Sequence, residues 1–324
     1  MMRRAVVVIS LLGCGSSSNS QPPPPAVARD AAATPVSHGE QYTPEQTIHL
    51  DQPKLDLPKQ EPVKLVEPGT GDRAPLVYVF ATATTETTME TKLETRHLDG
   101  GTWTPKLALP PIDDGFATTI DGTRVVLRGL PGTIAGTSTP EAEQYLASWR
   151  ALLQGRRATV AVDARGQLGK IAFTDDPGNQ RSEPSREQLA ERLLVTIVPV
   201  PAEPVGIGAS WKVVTVLRQG PASVKQTATY TLSARTPDRW TIHIKLQRLG
   251  QDQAVVDPSL PKGSTVDLVA LFRTLEGTVE IDPKRPLIAK GSLTIESRVH
   301  AKITVPDRPA VEQILEDTGT VTIR

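Results

Sequence analysis

Strand-like segments joined by short turn sequences recur from residue 75 onward. Asp121 and Gly122 separate two such segments, residues 116–120 and 123–127, which are rich in β-branched and other apolar side chains. A two-residue Asp-Gly loop is typical of a β-hairpin, because the turn needs positive φ angles that these residues tolerate. The sequence therefore predicts antiparallel neighbouring strands.

The same pattern continues toward the end of the chain. β-Branched and aromatic side chains favour the extended conformation, and clusters of Gly, Asp and Pro end it. The other predicted strands are a strand or two from residue 76 to 96, a hairpin of 158–162 and 168–173, residues 210–219, 222–235, 239–249, 266–282 and 287–305, and a short closing strand at 320–324.

Two helices are predicted among these strands. The first begins at Thr139 as the cap, has Pro140 in its first turn and ends before Gly155, and the second runs from Ser185 to about Thr196. Apolar residues recur at helical spacing on one face of each helix, which predicts packing against a core. These residues are Ala142, Tyr145, Leu146, Trp149, Leu152 and Leu153 in the first helix, and Leu189, Leu193 and Leu194 in the second.

Two helices beside eight or more antiparallel strands predict an α+β fold. The helices need an apolar face of the sheet to cover, so we expect a large, strongly curved antiparallel sheet wrapped around the helix pair. We assign residues 75–324 to this single β-rich globular domain.

The segment before this domain has a different composition. Residues 14–74 contain a serine-rich stretch, the run Pro22 to Pro25 and further prolines as far as Pro68, with few large apolar side chains. Such a segment cannot bury enough surface to compensate for ordering, so it predicts a disordered, extended linker. We favour a spacer, with a proline-rich ligand for another protein as the alternative.

The first residues have the pattern of a cleavable leader. Arg3 and Arg4 precede an apolar run, residues 5–13, which is too short to span a bilayer as a helix because that needs about 20 residues. Cys14 follows directly and is the only cysteine, which excludes an internal disulfide framework. The sequence predicts a signal peptide over residues 1–13.

The residues Leu11, Leu12, Gly13 and Cys14 resemble the lipobox of bacterial lipoprotein precursors. The resemblance implies that Leu11, Leu12 and Gly13 are recognised by the signal peptidase and that Cys14 becomes the first mature residue. The Cys14 thiol would carry a diacylglycerol in thioether linkage, and its amino group would be acylated by a fatty acid such as palmitate. Gly15 is not the Asp that retains such proteins in the inner membrane of enterobacteria. We therefore expect a lipid-anchored cell-envelope protein in the outer membrane, facing the periplasm. An unmodified Cys14 behind an ordinary leader is the alternative.

Three short motifs of the domain resemble those of a group of uncharacterised bacterial lipoproteins. They are a Gly-x-x-Trp that ends at Trp211, the strand Tyr230-Thr231-Leu232, and the stretch from Gly277 to Asp282. Members of that group resemble the lipoprotein-carrier fold, a half-barrel of antiparallel strands around helices that can hold acyl chains. The resemblance implies such a half-barrel for residues 75–324.

The composition and motifs exclude several classes of function. Lys plus Arg and Asp plus Glu are equal at 36 each, so no basic excess predicts nucleic-acid binding. His97, His243 and His300 have no metal-ligand spacing, and no nucleophile elbow or phosphate loop is present. His243 alternates with apolar neighbours, which predicts a surface position. We expect no catalytic residues, no metal, no cofactor and no enzymatic activity.

Two hypotheses for function follow. The first is a non-enzymatic envelope protein that binds a hydrophobic or lipid ligand, or an envelope partner, and it predicts a cavity between sheet and helices lined by Tyr145, Leu146, Trp149, Leu189 and Leu193. The second is a structural or assembly module with a filled core, which predicts an exposed apolar patch or an unpaired edge strand. For Tyr145 and Trp149 taken alone, the helical spacing favours a filled core.

Overall fold

The structure is a computed structural model in which β-strands dominate. The residues it describes are 59–99, 101–121, 124–136, 139, 140, 142, 146, 157–174, 183–219, 222–255 and 260–324. Among them, one helix has both of its ends, α1 (Glu183–Thr196), and it coincides with the second predicted helix. No helix of these residues has the length and apolar character that crossing a membrane requires.

Seventeen strands are described. The strands of the first half of the chain are β1 (Lys59–Gln60), β2 (Lys64–Glu67), β3 (Thr70–Ala74), β4 (Thr84–Asp99), β5 (Thr102–Trp103), β6 (Leu107–Ala108), β7 (Ile112–Asp121), β8 (Arg124–Ile134), β9 (Arg157–Val162) and β10 (Leu168–Thr174). Those of the second half are β11 (Val205–Ile207), β12 (Ser210–Gln219), β13 (Ala222–Thr236), β14 (Arg239–Val255), β15 (Thr265–Ile281), β16 (Lys290–Thr304) and β17 (Val311–Ile323).

Fifteen of these strands form one antiparallel sheet with two open ends. Its order is β1-β12-β13-β14-β15-β16-β17-β4-β7-β8-β9-β10, with β2 also on β12 and with β5 and β6 on β4, while β3 and β11 form a separate pair. Both predicted hairpins are confirmed, because Asp121 is in register with Arg124 and β9 pairs with β10.

The closing strand is longer and more central than predicted. Instead of a short strand at 320–324, β17 pairs along most of its length with β16 on one side and with β4 on the other. It thereby joins the strands of the two halves of the chain into one sheet. The prediction missed its first part because Glu312, Glu316 and Asp317 interrupt the apolar pattern there.

The last part of the predicted linker is folded. Residues 59–74 form β1, β2 and β3, and the partners β12 and β11 lie far away in sequence. Their strand pairing comes from these distant partners, so a local reading of composition could not find them. Residues 14–58 and the predicted signal peptide lie outside the described residues.

The core consists of separate apolar clusters on the inner face of the sheet, which is the face toward α1. The main cluster contains Leu193 of α1 together with Trp211, Leu246 and Leu275, and a second cluster, with Leu271 and Val299, lies farther along the same strands. A third cluster, around Ile112, contains Leu146 and Ala142.

The beginning of the first predicted helix is described in part. Pro140, Ala142 and Leu146 are helical, and the Ala142 amide donates to Thr139 Oγ1 at 3.2 Å, as expected of the capping residue. The other residues of that predicted helix lie outside the described residues.

Candidate functional site

A row of polar residues crosses the inner face of the sheet. Each of seven neighbouring strands contributes one residue, and each residue is in direct register with the next. We call this set the polar row, and in sheet order its members are Thr215, Gln226, Arg248, Arg273, Ser297, Asp317 and Thr95.

The polar row is buried. Arg248 is 1% exposed and Asp317 is 3% exposed, and the side chain of Arg273 is 12% exposed. Removing a charged group from water is costly unless partners compensate for its lost hydration. A buried row with two arginines and an aspartate therefore calls for a structural or functional reason.

The polar row lies between two of the apolar clusters. Residues two positions along a strand share a face, so Leu246 and Leu275 adjoin Arg248 and Arg273 on the side of the main cluster. Leu271 adjoins Arg273 on the other side, in the second cluster. The inner face is therefore apolar, polar and apolar again along its strands.

Helix α1 supplies charged partners to the sheet beneath it. The Glu191 carboxylate accepts a hydrogen bond from Nη1 of Arg248 and lies 3.6 Å from Nη1 of Arg273. The next residue, Arg192, pairs with Asp114 on β7. Two consecutive side chains of α1 thus contact opposite regions of the inner face, which fixes the position of the helix.

The surroundings shift the pKa values of two carboxyl groups. Burial acts to raise the pKa of Glu191, but the adjacent guanidinium groups of Arg248 and Arg273 outweigh it and lower that pKa below its usual range. The pKa of Asp317 is shifted upward instead, because burial raises it more than Arg273 lowers it. Glu191 is the carboxylate that neutralises the arginines, and Asp317 is held toward its uncharged form.

Some polar atoms of the row have no hydrogen-bond partner in the protein. Arg248 donates from Nε to Gln226 at 2.8 Å and from Nη1 to Glu191, while its Nη2 is buried and unpartnered. Nε of Arg273 and Oδ2 of Asp317 are unpartnered as well. Buried donors without a partner are rare in folded proteins, and each one needs an explanation.

A cavity of about 130 Å³ lies where α1 faces the polar row, and it is partly open to solvent. Its charged lining consists of Asp114, Glu191, Arg192, Arg248, Arg273 and Asp317. Its apolar lining comes mainly from the sheet, with Met89, Leu93, Leu275, Leu293, Ile295, Val321 and Ile323, and from Val195 of α1. The cavity is therefore amphipathic, with side chains of the polar row in one part and aliphatic side chains in the other.

Of the five residues predicted to line a cavity, two lie elsewhere and the side chains of the other three are not described. Leu193 is fully buried in the main cluster and Leu146 in the third, and neither lines this cavity. Tyr145, Trp149 and the side chain of Leu189 lie outside the described residues. The cavity-lining role of Tyr145, Trp149 and Leu189 stays a prediction.

His97, His243 and His300 do not line this cavity. His243 is half-exposed, with Nε2 3.3 Å from Glu276 Oε1, while Ile242 and Ile244 are buried, so the predicted surface position is confirmed. Among the described residues, no group of three or more His, Cys, Asp or Glu side chains is arranged to hold a metal ion. Leu11, Leu12, Gly13 and Cys14 lie outside the described residues.

Comparison of the chain with family models, with curated proteins and with solved structures found no match.

Proposed function

We propose that the domain is a non-enzymatic binding module of a lipid-anchored envelope protein, and that it holds the apolar part of a ligand between α1 and the sheet. One observation carries the proposal: the cavity has aliphatic walls and is partly open to solvent. Of the two hypotheses from the sequence, only the ligand-binding one requires such a cavity.

The size and lining of the cavity suit an apolar group. Its volume of about 130 Å³ is close to that of an engineered apolar cavity that takes up benzene, about 150 Å³. Each methylene group removed from water contributes about 0.8 kcal/mol. A chain of several carbon atoms therefore gains enough free energy there for measurable binding.

The proposal includes a half-barrel shape with two helices around the cavity. Its support is the cap at Thr139, the helical residues Pro140, Ala142 and Leu146, and the burial of Leu146 against Leu93 and Ile112. In this arrangement the first predicted helix covers the region of β4 and β7, and α1 covers the polar row.

Anchoring rests on the sequence Leu11-Leu12-Gly13-Cys14 alone. Acyl chains on Cys14 would hold the protein at the outer membrane, and the linker would let the domain extend into the periplasm. The test is mass spectrometry of the N-terminal peptide after expression in a Gram-negative host. We expect a peptide that begins at a lipid-modified Cys14, and Cys14→Ser should release the protein from the membrane fraction. An unmodified Cys14 would contradict the anchor but not the cavity.

Native mass spectrometry tests ligand binding. The sample is the full chain with Cys14→Ser, so that no attached acyl chain competes for the cavity, purified gently without detergent. We expect a bound small molecule with an alkyl chain that is released on denaturation. Protein that is free of ligand, and that also takes up no added alkyl compound, would contradict the proposal.

An exposed apolar pair favours protein interaction as a second function. Leu249 and Phe272 are direct neighbours on β14 and β15, on the outer face, and are 48% and 38% exposed. Cross-linking in cells should then capture a partner with the wild type and lose it with the double variant Leu249→Lys and Phe272→Lys. Unchanged cross-linking would exclude this surface as the contact.

A further inference from the structure

We infer that the ligand of the cavity carries an acidic headgroup, a carboxylate or a phosphate, and that the guanidinium groups of Arg248 and Arg273 bind it. The inference rests on the proposed function, since the same cavity holds the apolar part. It adds the chemical class of the ligand and two residues that recognise it.

The two arginines are direct neighbours. Arg248 and Arg273 are paired in register on β14 and β15, and residues opposite each other in this way have Cβ atoms about 4.5–5.5 Å apart. Like charges in this position repel each other. In the protein, the carboxylate of Glu191 is the group that contacts both of them, so one carboxylate serves two buried guanidinium groups.

Both arginines line the cavity, and each has a buried donor without a partner in the protein. These donors are Nη2 of Arg248 and Nε of Arg273. The planar fork of an arginine matches the oxygen atoms of a carboxylate or phosphate, and such charge-assisted hydrogen bonds are about twice as strong as neutral ones. An acidic headgroup in the cavity would place a further negative charge beside the two guanidinium groups.

The acidic side chains of the cavity are less suited to recognise a cationic ligand. Glu191 already contacts the two arginines, and Asp114 pairs with Arg192. For Asp317, burial raises the pKa and favours the uncharged carboxyl. Oδ1 of Asp114 is buried without a partner as well, but this carboxylate has Arg192 as its own cation, whereas Arg248 and Arg273 share the carboxylate of Glu191.

The cavity volume sets the size of the probe. About 130 Å³ accommodates a group near the size of benzene, which corresponds to a headgroup with the first several carbon atoms of a chain. Octyl compounds are suitable, because they are soluble and their chain is long enough to occupy the apolar lining. The rest of a longer chain would extend toward the open side.

Isothermal titration calorimetry of the full chain with Cys14→Ser separates the contributions of headgroup and chain. The probes are octanoate, octyl phosphate and octan-1-ol, with acetate and inorganic phosphate as headgroups without a chain. We expect at least one octyl acid to bind about tenfold or more tighter than octan-1-ol, since one hydrogen bond to a charged group contributes that much. Acetate and phosphate should bind at least about tenfold more weakly than the octyl acids.

The outcomes distinguish the inference from the proposed function. Equal binding of octan-1-ol and both acids would overturn the acidic headgroup and leave the apolar cavity standing. Equal binding of the short anions and the octyl acids would support the anion site and overturn the proposed hydrophobic function. No binding of any probe would overturn both.

Single-residue variants test whether the arginines bind the acidic headgroup. Arg273→Gln removes one guanidinium while Arg248 still pairs with Glu191, and it should weaken binding of the octyl acids about tenfold without affecting octan-1-ol. Arg298→Gln is the matched control. Arg298 lies on the outer face of β16 and its side chain is 56% exposed, so this variant should bind the octyl acids and octan-1-ol as the wild type does. If Arg273→Gln melts like the control and still binds the octyl acids as the wild type does, the assignment to Arg273 is wrong.

Discussion

The carboxylate of Glu191 contacts the guanidinium of Arg248, and this ion pair connects α1 to the inner face of the sheet. Arg248 is 1% exposed and the side chain of Glu191 is 17% exposed. Because water reaches neither group freely, each depends on the other to compensate for its lost hydration. Two kinds of contact therefore hold α1 on the sheet: the ion pair of Glu191 with the polar row, and the apolar packing of Leu193 in the main cluster.

Glu191→Ala should destabilise the protein strongly. Removing one partner of a buried ion pair leaves the other charge uncompensated and costs about 3–5 kcal/mol. The measurement is the free energy of unfolding from urea titration. Glu280→Ala is the matched control, because Glu280 pairs with the exposed Arg239 at 2.8 Å, and a surface pair contributes about 0–1 kcal/mol. Equal losses in the two variants would show that the Glu191 pair does not hold the helix.

Asp317→Asn should change how stability depends on pH. Burial raises the pKa of Asp317 in the folded state, so the folded protein binds this proton more tightly than the unfolded chain, whose Asp has a pKa of about 3.9. The stabilisation is complete below about pH 3.9 and is lost as pH rises through the folded-state pKa. Compared with Asp317→Asn, the wild type should therefore lose stability as pH rises above about 4.

Urea unfolding of both proteins across this pH range measures the difference. The other titrating groups are present in both proteins, so the difference between the two curves isolates Asp317. A difference that does not depend on pH, or one in which the wild type gains stability as pH rises, would contradict the raised pKa.

Val321→Phe should block the cavity. Val321 is partly buried and lines the cavity, and a phenyl ring adds a volume that is a large part of about 130 Å³. We expect binding of octyl acids to fall about tenfold or more, in keeping with the loss of two or more buried methylene contacts at about 0.8 kcal/mol each. Calorimetry with the probes described above measures this change.

The same substitution on the same strand supplies the control. Val311 is 58% exposed, so Val311→Phe should leave binding unchanged. If both variants bind octanoate and octyl phosphate as the wild type does, the ligand does not occupy the cavity beneath α1.

Much of the fold was predictable because it depends on local patterns. The Asp-Gly loop at Asp121 and the apolar face of α1 are both encoded within a few residues of where they act. The polar row was not predicted, although the sequence contains a signal for it. On β14 the inward-facing residues Ile242, Ile244 and Leu246 are followed, two positions on, by Arg248. Gln226, Arg273 and Ser297 interrupt the inward-facing apolar residues of β13, β15 and β16 in the same way. Without the strand register, nothing indicates that these interruptions meet.

The folded end of the predicted linker was missed for a related reason. Leu65 of β2 is in register with Trp211 of β12, and Arg235 donates to the carbonyl oxygens of Ala74 at 3.1 Å and Asp72 at 3.0 Å. These contacts join residues far apart in sequence. Composition alone describes what a segment can bury within itself and not what a distant strand provides.

Truncation tests the structural role of these residues. A chain that begins at residue 75 lacks β1, β2 and β3 and leaves β12 with one open edge, whereas a chain that begins at residue 57 keeps all of them. Val63 and Leu65 pack against the main cluster, and losing a buried aliphatic side chain costs about 2–5 kcal/mol. We expect the shorter chain to unfold at a clearly lower temperature and the longer one to melt like the full chain. Equal melting of all three would mean that residues 59–74 add nothing to the fold, as a disordered linker would.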